Sequence, residues 1–267
     1  MTRSLITGCS ATVVLTLLAT TAAVAQNPNA VPADPSPYPQ HSRTRPAPAV
    51  VTPGPYLGPV AAPSDAIILF DGHSLSEWRS ADSTKDDAGW KVENGDIVVA
   101  PGTGDIVTRR SFGDVQLHIE WSAPNPPRGE DQDRGNSGVF LMRTYEVQVL
   151  DSYHAATYPD GQAASIYGQY PPLVNAMRPP GDWQVYDIVF HRPHFDAGGK
   201  VTAPARVTVF HNGILVQDDM TVLGPTTNSR RSAYSVHPDR LPIELQDHGH
   251  PVRFRDIWIR ELTEHGN

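Results

Sequence analysis

Val115-Gln116-Leu117-His118-Ile119-Glu120-Trp121 alternates apolar and polar side chains without a break. Period two marks a half-buried β-strand, one face apolar and the other carrying Gln116, His118 and Glu120. The same alternation recurs along the chain. Tyr145, Val147 and Val149 oppose Glu146 and Gln148, and Val207 and Val209 oppose Arg206, Thr208 and Phe210. In the last run Val252, Phe254 and Trp258 share one parity, with Arg253, Arg255, Ile257 and Ile259 on the other. Turn signals separate the runs at Asn94-Gly95, Gly102-Thr103-Gly104, Ala197-Gly198-Gly199 and Asn212-Gly213. Asn212-Gly213, between Val207–His211 and Ile214–Gln217, is a two-residue hairpin signal. Helical periodicity is almost absent. Many strands joined by such turns predict an all-β fold, an antiparallel sandwich or jelly roll, with a short helical turn at Ser74–Trp78.

The N-terminal region has a different character. Arg3, the apolar run Ala11–Ala19 and the small residues Ala23-Val24-Ala25 before Gln26 read as an export signal over residues 1–25, which predicts a periplasmic or extracellular protein. The run is too short and too rich in threonine for a transmembrane segment, which needs about 20 apolar residues. Ile6-Thr7-Gly8-Cys9 has lipobox-like residues but precedes the apolar run, which argues against a lipid anchor. Cleavage would also remove the only cysteine, so the core alone must hold the mature chain together. Residues 26–64 are dense in proline (Pro28, Pro32, Pro35, Pro37, Pro39, Pro46, Pro48, Pro53, Pro55, Pro59, Pro63) and have no apolar period. That composition predicts a disordered, flexible or polyproline-like linker. A single domain over 65–262 and a short tail at 263–267 complete the expected organisation. A net charge of −8 argues against a nucleic-acid partner.

Two stretches concentrate chemistry. Leu245-Gln246-Asp247-His248-Gly249-His250 is too polar for a strand interior and too rich in acid–base side chains for an ordinary loop. Tyr145-Glu146-Val147-Gln148-Val149-Leu150-Asp151 places a carboxylate and an amide on one strand face. Together they predict a sheet that presents a reactive surface. Long irregular segments at Pro124–Gly135 and His154–Pro180 interrupt the strands, the second carrying Tyr158, Tyr167 and Tyr170. Tyrosine faces suit sugar rings, although the same side chains also serve to pack a loop onto a sheet.

Ile68-Leu69-Phe70-Asp71-Gly72-His73-Ser74-Leu75 with Trp78, then Trp90-Lys91-Val92-Glu93-Asn94-Gly95, open a series of motifs. Asn136-Ser137-Gly138-Val139-Phe140, the Tyr145–Asp151 stretch, Asp182-Trp183-Gln184-Val185-Tyr186-Asp187-Ile188 and His211-Asn212-Gly213 continue it. Ile243-Glu244-Leu245-Gln246-Asp247-His248-Gly249 and Val252-Arg253-Phe254-Arg255-Asp256-Ile257 close it. In this order, over nearly all of 67–262, the series resembles the DUF1080 family, also called the 3-keto-disaccharide hydrolase domain. The chain departs from that pattern at Asp182-Trp183-Gln184, where Glu-Trp-Asn is usual, and at Arg255-Asp256, where Arg-Asn is usual. These departures bear on the substrate and leave the fold alone.

The resemblance implies a concanavalin A-like (LamG-like) jelly roll acting on a carbohydrate oxidised at C3. The expected chemistry is removal of the C2 proton, β-elimination of the C1 substituent and rehydration. His248, Glu146 and Asp151 are the expected catalytic residues, Asp151 orienting His248 or helping to bind a cation. Arg143, Gln148, Gln246, Glu120, His118, Trp183 and Tyr167 are expected to contact substrate. A divalent metal on Glu146 and His248 is one option, although no ligand spacing such as His-x-His supports it. A separate sugar 3-dehydrogenase would supply the ketone. The rival expectation is a non-catalytic, lectin-like carbohydrate-binding module on the same fold. Asp247 is open to a structural role, satisfying turn amides beside Gly249.

Overall fold

The structure, a computed structural model, describes residues 36–263 together with Met1. The rest of the expected export signal, residues 26–35 of the expected linker and residues 264–267 lie outside the described residues. Among the described residues seventeen strands run in chain order: β1 (Ala49–Val50), β2 (Ile67–Phe70), β3 (Trp78–Ser80), β4 (Lys91–Glu93), β5 (Asp96–Val98) and β6 (Ile106–Thr108). They continue as β7 (Val115–Ser122), β8 (Ser137–Leu141), β9 (Tyr145–Val149), β10 (Val174–Asn175), β11 (Gln184–His191) and β12 (His194–Phe195). The last are β13 (Val201–Ala203), β14 (Arg206–His211), β15 (Ile214–Thr221), β16 (Glu244–Leu245) and β17 (Arg253–Glu261). The helical turn expected at Ser74–Trp78 is instead a hydrogen-bonded turn, Trp78 N–H to Leu75 O at 2.8 Å, leading straight into β3.

Two antiparallel sheets carry the fold. The larger orders its strands β15-β14-β11-β7-β17-β5-β4, with β2 also on β17, and the smaller orders β3-β6-β16-β8-β9. Alternation decides which residues meet between them. Leu117, Ile119 and Trp121 of β7, Tyr186, Ile188 and Phe190 of β11, and Phe254 of β17 belong to one core with Val139 and Leu141 of β8, Tyr145, Val147 and Val149 of β9, and Leu245 of β16. Each such burial is worth about 1.5–3 kcal/mol before the ordering entropy is charged against it. Tyr186 ties the layers together, its hydroxyl donating to the Gln148 carbonyl at 2.8 Å. The expected antiparallel all-β sandwich is therefore the observed one.

The last strand corrects the parity read from sequence. A register shift between Arg255 and Trp258, with Asp256 at φ 45°, places a bulge in β17. A bulge moves the following residues to the opposite face. Phe254 is thus followed into the core by Ile257 and Ile259, while Trp258 turns outward and stacks on His118, ring centroids 4.9 Å apart and planes 7° from parallel.

The linker expected over 26–64 is, from residue 36 on, laid against the sandwich. β1 pairs in parallel with β10. The Tyr56 hydroxyl donates to the Glu120 carboxylate at 2.9 Å and receives a bond from Arg255 Nη2 at 2.7 Å. Residues between the prolines find partners on the domain. Glu120 is fully buried and also accepts from Arg255 Nε at 2.8 Å.

This outer-face triad makes a testable claim. Tyr56→Phe removes a hydrogen bond worth about 1 kcal/mol, whereas Glu120→Ala strips Arg255 of its carboxylate and costs about 3 kcal/mol. Urea denaturation should rank wild type above Tyr56→Phe and Tyr56→Phe above Glu120→Ala. Three coincident midpoints would contradict the triad.

Candidate active site

β9 is buried along its whole length. Tyr145, Val147 and Val149 enter the core, so Glu146 and Gln148 project from the opposite face of the smaller sheet. A returning segment covers the strand: Ala164 N–H bonds to the Gln148 carbonyl at 2.9 Å, Gln148 N–H to Ser165 O at 3.0 Å, and Tyr167 N–H to Glu146 O at 3.3 Å. Register places Phe140 of β8 opposite Glu146, Glu244 of β16 opposite Phe140, and Gly138 opposite Gln148. Gly138 has a steric reason to be glycine. A Cβ there would stand 2.6 Å from Glu146 Oε1 and 2.7 Å from the Phe140 ring.

The electrostatics of this face are unusual. Burial, reinforced by the negative charges of Asp105 and Glu244, pushes the Glu146 carboxyl up to about 8. Burial also raises Glu244, although Arg143 Nε donates to its Oε2 at 2.7 Å and opposes the shift. Asp105 is raised by burial and by Asp247, against the Asp247 N–H bond at 2.7 Å and the charges of Arg143 and His248. Three carboxyls that share a face cannot all ionise cheaply. Glu146, the most enclosed, holds its proton at neutral pH.

A cavity of about 320 Å³ opens over this face, lined by Asn136, Phe140, Glu146, Gln148, Tyr167, Thr226, Thr227, Asn228, Gln246 and His248. That volume lies at the small end of ligand pockets, roughly 300–1,000 Å³. Gln148 Nε2 donates to Gln132 Oε1 at 3.0 Å, while the buried Gln148 Oε1 has no partner. An unpaired buried acceptor inside a polar cavity is a position for a donor from a ligand. Tyr167 is held by its hydroxyl contact with Tyr158 at 2.7 Å. His248 is exposed on the loop after β16. Asp247 fixes that loop, accepting from Gly249, Gly102 and Gly104 N–H groups at 3.0, 2.7 and 3.0 Å. Its structural role is thus the observed one.

The structure brings together Glu146, Gln148, Gln246, His248 and Tyr167 in one cavity. Arg143 stands beside it through Glu244. The remaining expected residues lie elsewhere. Asp151 follows the end of β9, where the chain leaves the sheet; it is bound by Arg134 Nε at 2.8 Å and lines a neighbouring cavity, so it does not orient His248. Glu120 and His118 belong to β7 of the other sheet and face away from the core, Glu120 on Tyr56 and Arg255, His118 Nδ1 on Asp187 Oδ1 at 2.7 Å. They form no wall of this cavity. Trp183 precedes β11 and lines a separate cavity beside the N-terminal arm, the Arg255 guanidinium 3.8 Å from its ring centroid. Among the described residues no group of three or more His, Cys, Asp or Glu side chains is arranged to hold a metal ion. The candidate ligands Glu146 and His248 share the cavity without a third such group.

Several residues in or beside the cavity were not singled out from sequence. Glu244 shares parity with Gln246, so the alternation in Ile243-Glu244-Leu245-Gln246 could have found it. Asp105 and Thr226–Asn228 lie next to turns or in loops, where periodicity carries no signal.

The chain belongs to the family of the 3-keto-alpha-glucoside-1,2-lyase-like domain, which matches residues 65–260. It is the family that the motifs resemble. A 3-keto-disaccharide hydrolase of Bacteroides thetaiotaomicron is 22% identical over 255 residues, covering 73% of this chain and 78% of that protein. The crystal structure of a candidate glycosyl hydrolase from Parabacteroides distasonis matches with a TM-score of 0.74 and 49% identity, over 81% of this chain and 93% of its own. A second candidate glycosyl hydrolase structure from that organism, at 20% identity, TM-score 0.51 and coverage of 74% and 94%, shares the fold.

The buried proton on Glu146 has a measurable sign. Its folded pKa of about 8 lies above the ordinary 4.5, so the folded protein keeps a proton that the unfolded chain releases. Its contribution to stability is complete below the lower value and is lost as pH rises through the upper one. Glu146→Gln removes this dependence and should gain on wild type with rising pH, by on the order of 3 kcal/mol at about pH 9 relative to about pH 5. Chemical denaturation at both pH values checks it; a difference that does not change with pH would contradict the protonated carboxyl.

Proposed function

We propose that this protein cleaves 3-keto-glycosides by elimination across C1–C2 followed by rehydration. The observation that carries the proposal is a buried carboxyl, its pKa pushed up by its burial, in a polar cavity that it shares with an exposed imidazole. The C3 ketone makes the C2 proton acidic, because the resulting anion is an enolate. The His248 imidazole takes that proton. The enolate collapses, the C1–O bond breaks, and Glu146 delivers its proton to the departing oxygen. Glu146 is then ionised in surroundings that disfavour the charge, which makes it a base for the water that adds to C1. The exposed His248 exchanges its proton with solvent and then protonates C2, and the net reaction is hydrolysis.

The other residues hold the ring. Gln148 Oε1 accepts a sugar hydroxyl, Gln246 provides a second amide, and Tyr167 offers an aromatic edge. Arg143, anchored by Glu244, adds positive potential on the enolate side. A lectin-like module on this fold needs the amides and the aromatic ring but gains nothing from a buried acid that resists ionisation. The proposal includes export directed by residues 1–25 and a separate sugar 3-dehydrogenase that makes the ketone.

Incubating the protein with 3-keto-trehalose and with a 3-keto-β-glucoside in deuterated water, followed by NMR, tests the route. Early release of 3-keto-glucose carrying deuterium at C2 is the expected result. His248→Ala and Glu146→Gln should each lower kcat by about a hundredfold or more while sugar affinity is retained. Release without C2 deuterium would rule out elimination, and parent-level turnover by both variants would rule out the site.

A further inference from the structure

Two walls of the cavity lie on segments outside the sheet that touch the N-terminal arm: Tyr167, on the segment covering β9, and Thr227, on the loop after β15. Both are held from behind by the N-terminal arm, whose residues 36–64 precede the family domain at 65–260. The Gln40 side-chain amide donates to the Thr227 carbonyl at 2.7 Å. The His41 ring packs on Tyr158 and Tyr167, centroids 4.3 and 5.2 Å away. His41 N–H donates to Asp160 Oδ2 at 3.0 Å, and Arg45 lies 4.0 Å from the same oxygen. Asp160 is fully buried, so the arm supplies partners for a carboxylate that would otherwise be stranded. The Asp160 carbonyl in turn receives Gly168 N–H at 2.8 Å, one residue from Tyr167. Gly168 is the notch into which the arm fits. It stands at φ +68°, and a Cβ there would lie 2.5 Å from Gln40 Nε2.

We infer that Gln40 and His41 are positioning residues, through which the arm fixes the Tyr167 and Thr227 walls and sets how tightly substrate is held. This rests on the proposed sugar site. The arm reaches the binding walls, whereas Glu146 lies on β9 and His248 on a loop pinned by Asp247. Loosening the walls therefore weakens binding and spares the chemical step.

The test uses the full chain with Gln40→Ala, His41→Ala, and Tyr56→Phe as a control at the arm's other anchor. Amide hydrogen exchange at residues 165–169 and 226–228 is read beside steady-state kinetics on a 3-keto-glycoside. Exchange in both segments should rise about tenfold for Gln40→Ala and His41→Ala. KM should rise about fivefold with kcat changed by less than about twofold. Tyr56→Phe should leave both readouts at parent values. Unchanged exchange in the two segments would overturn the inference. So would a fall in kcat together with faster exchange throughout the domain, which marks a purely structural role. If His41→Ala fails to fold, the part-buried Gln40→Ala decides alone. A parent protein inactive on 3-keto-glycosides would refute the proposed function, and the exchange data would still decide what the arm does.

Discussion

Strand β9 is buried on both faces, and most of what is distinctive in this molecule follows from that constraint. One face completes the core of the sandwich through Tyr145, Val147 and Val149. The other must accommodate Glu146 and Gln148 without bulk water. The fold meets this demand locally: Gly138 clears space for the carboxyl, segment 164–167 bonds along the strand, and Gln132 engages the Gln148 amide. A carboxyl enclosed in this way keeps its proton, and a protonated carboxyl at the floor of a polar cavity is a reactive group.

The neighbouring charges sharpen the effect. Asp105 and Glu244 both disfavour ionisation of Glu146, while Arg143 is engaged with Glu244. The positive charge near the site thus balances the outer carboxyls and leaves the inner one unneutralised. In the proposed reaction the enclosed Glu146 carboxyl serves as the acid and the exposed His248 imidazole as the base.

Period-two alternation was enough to read the sandwich and to place Glu146 and Gln148 on a common face. Parity tells which residues share a face of one strand; it does not tell which sheet the strand joins. That is why Glu120 and His118, with the same pattern as Glu146 and Gln148, are expected to contact substrate and lie instead on the far side of the larger sheet. The bulge at Asp256 misled the reading of Trp258 because a one-residue shift has no compositional mark. Proline density said nothing of the arm's partners, which depend on single residues such as Gln40, Arg45 and Tyr56. Asp105 and Thr226–Asn228 join the site through loops, whose path is set by tertiary contacts.

The central claim is that Glu146 is a neutral acid in the resting protein. Carbon-13 NMR of side-chain-labelled glutamate, with Glu146→Gln used to assign the resonance, measures its titration directly. The account predicts a midpoint near the value of about 8 that burial imposes. A midpoint at the ordinary 4.5 would contradict it, because Glu146 would then be a charged carboxylate at neutral pH with no proton to donate.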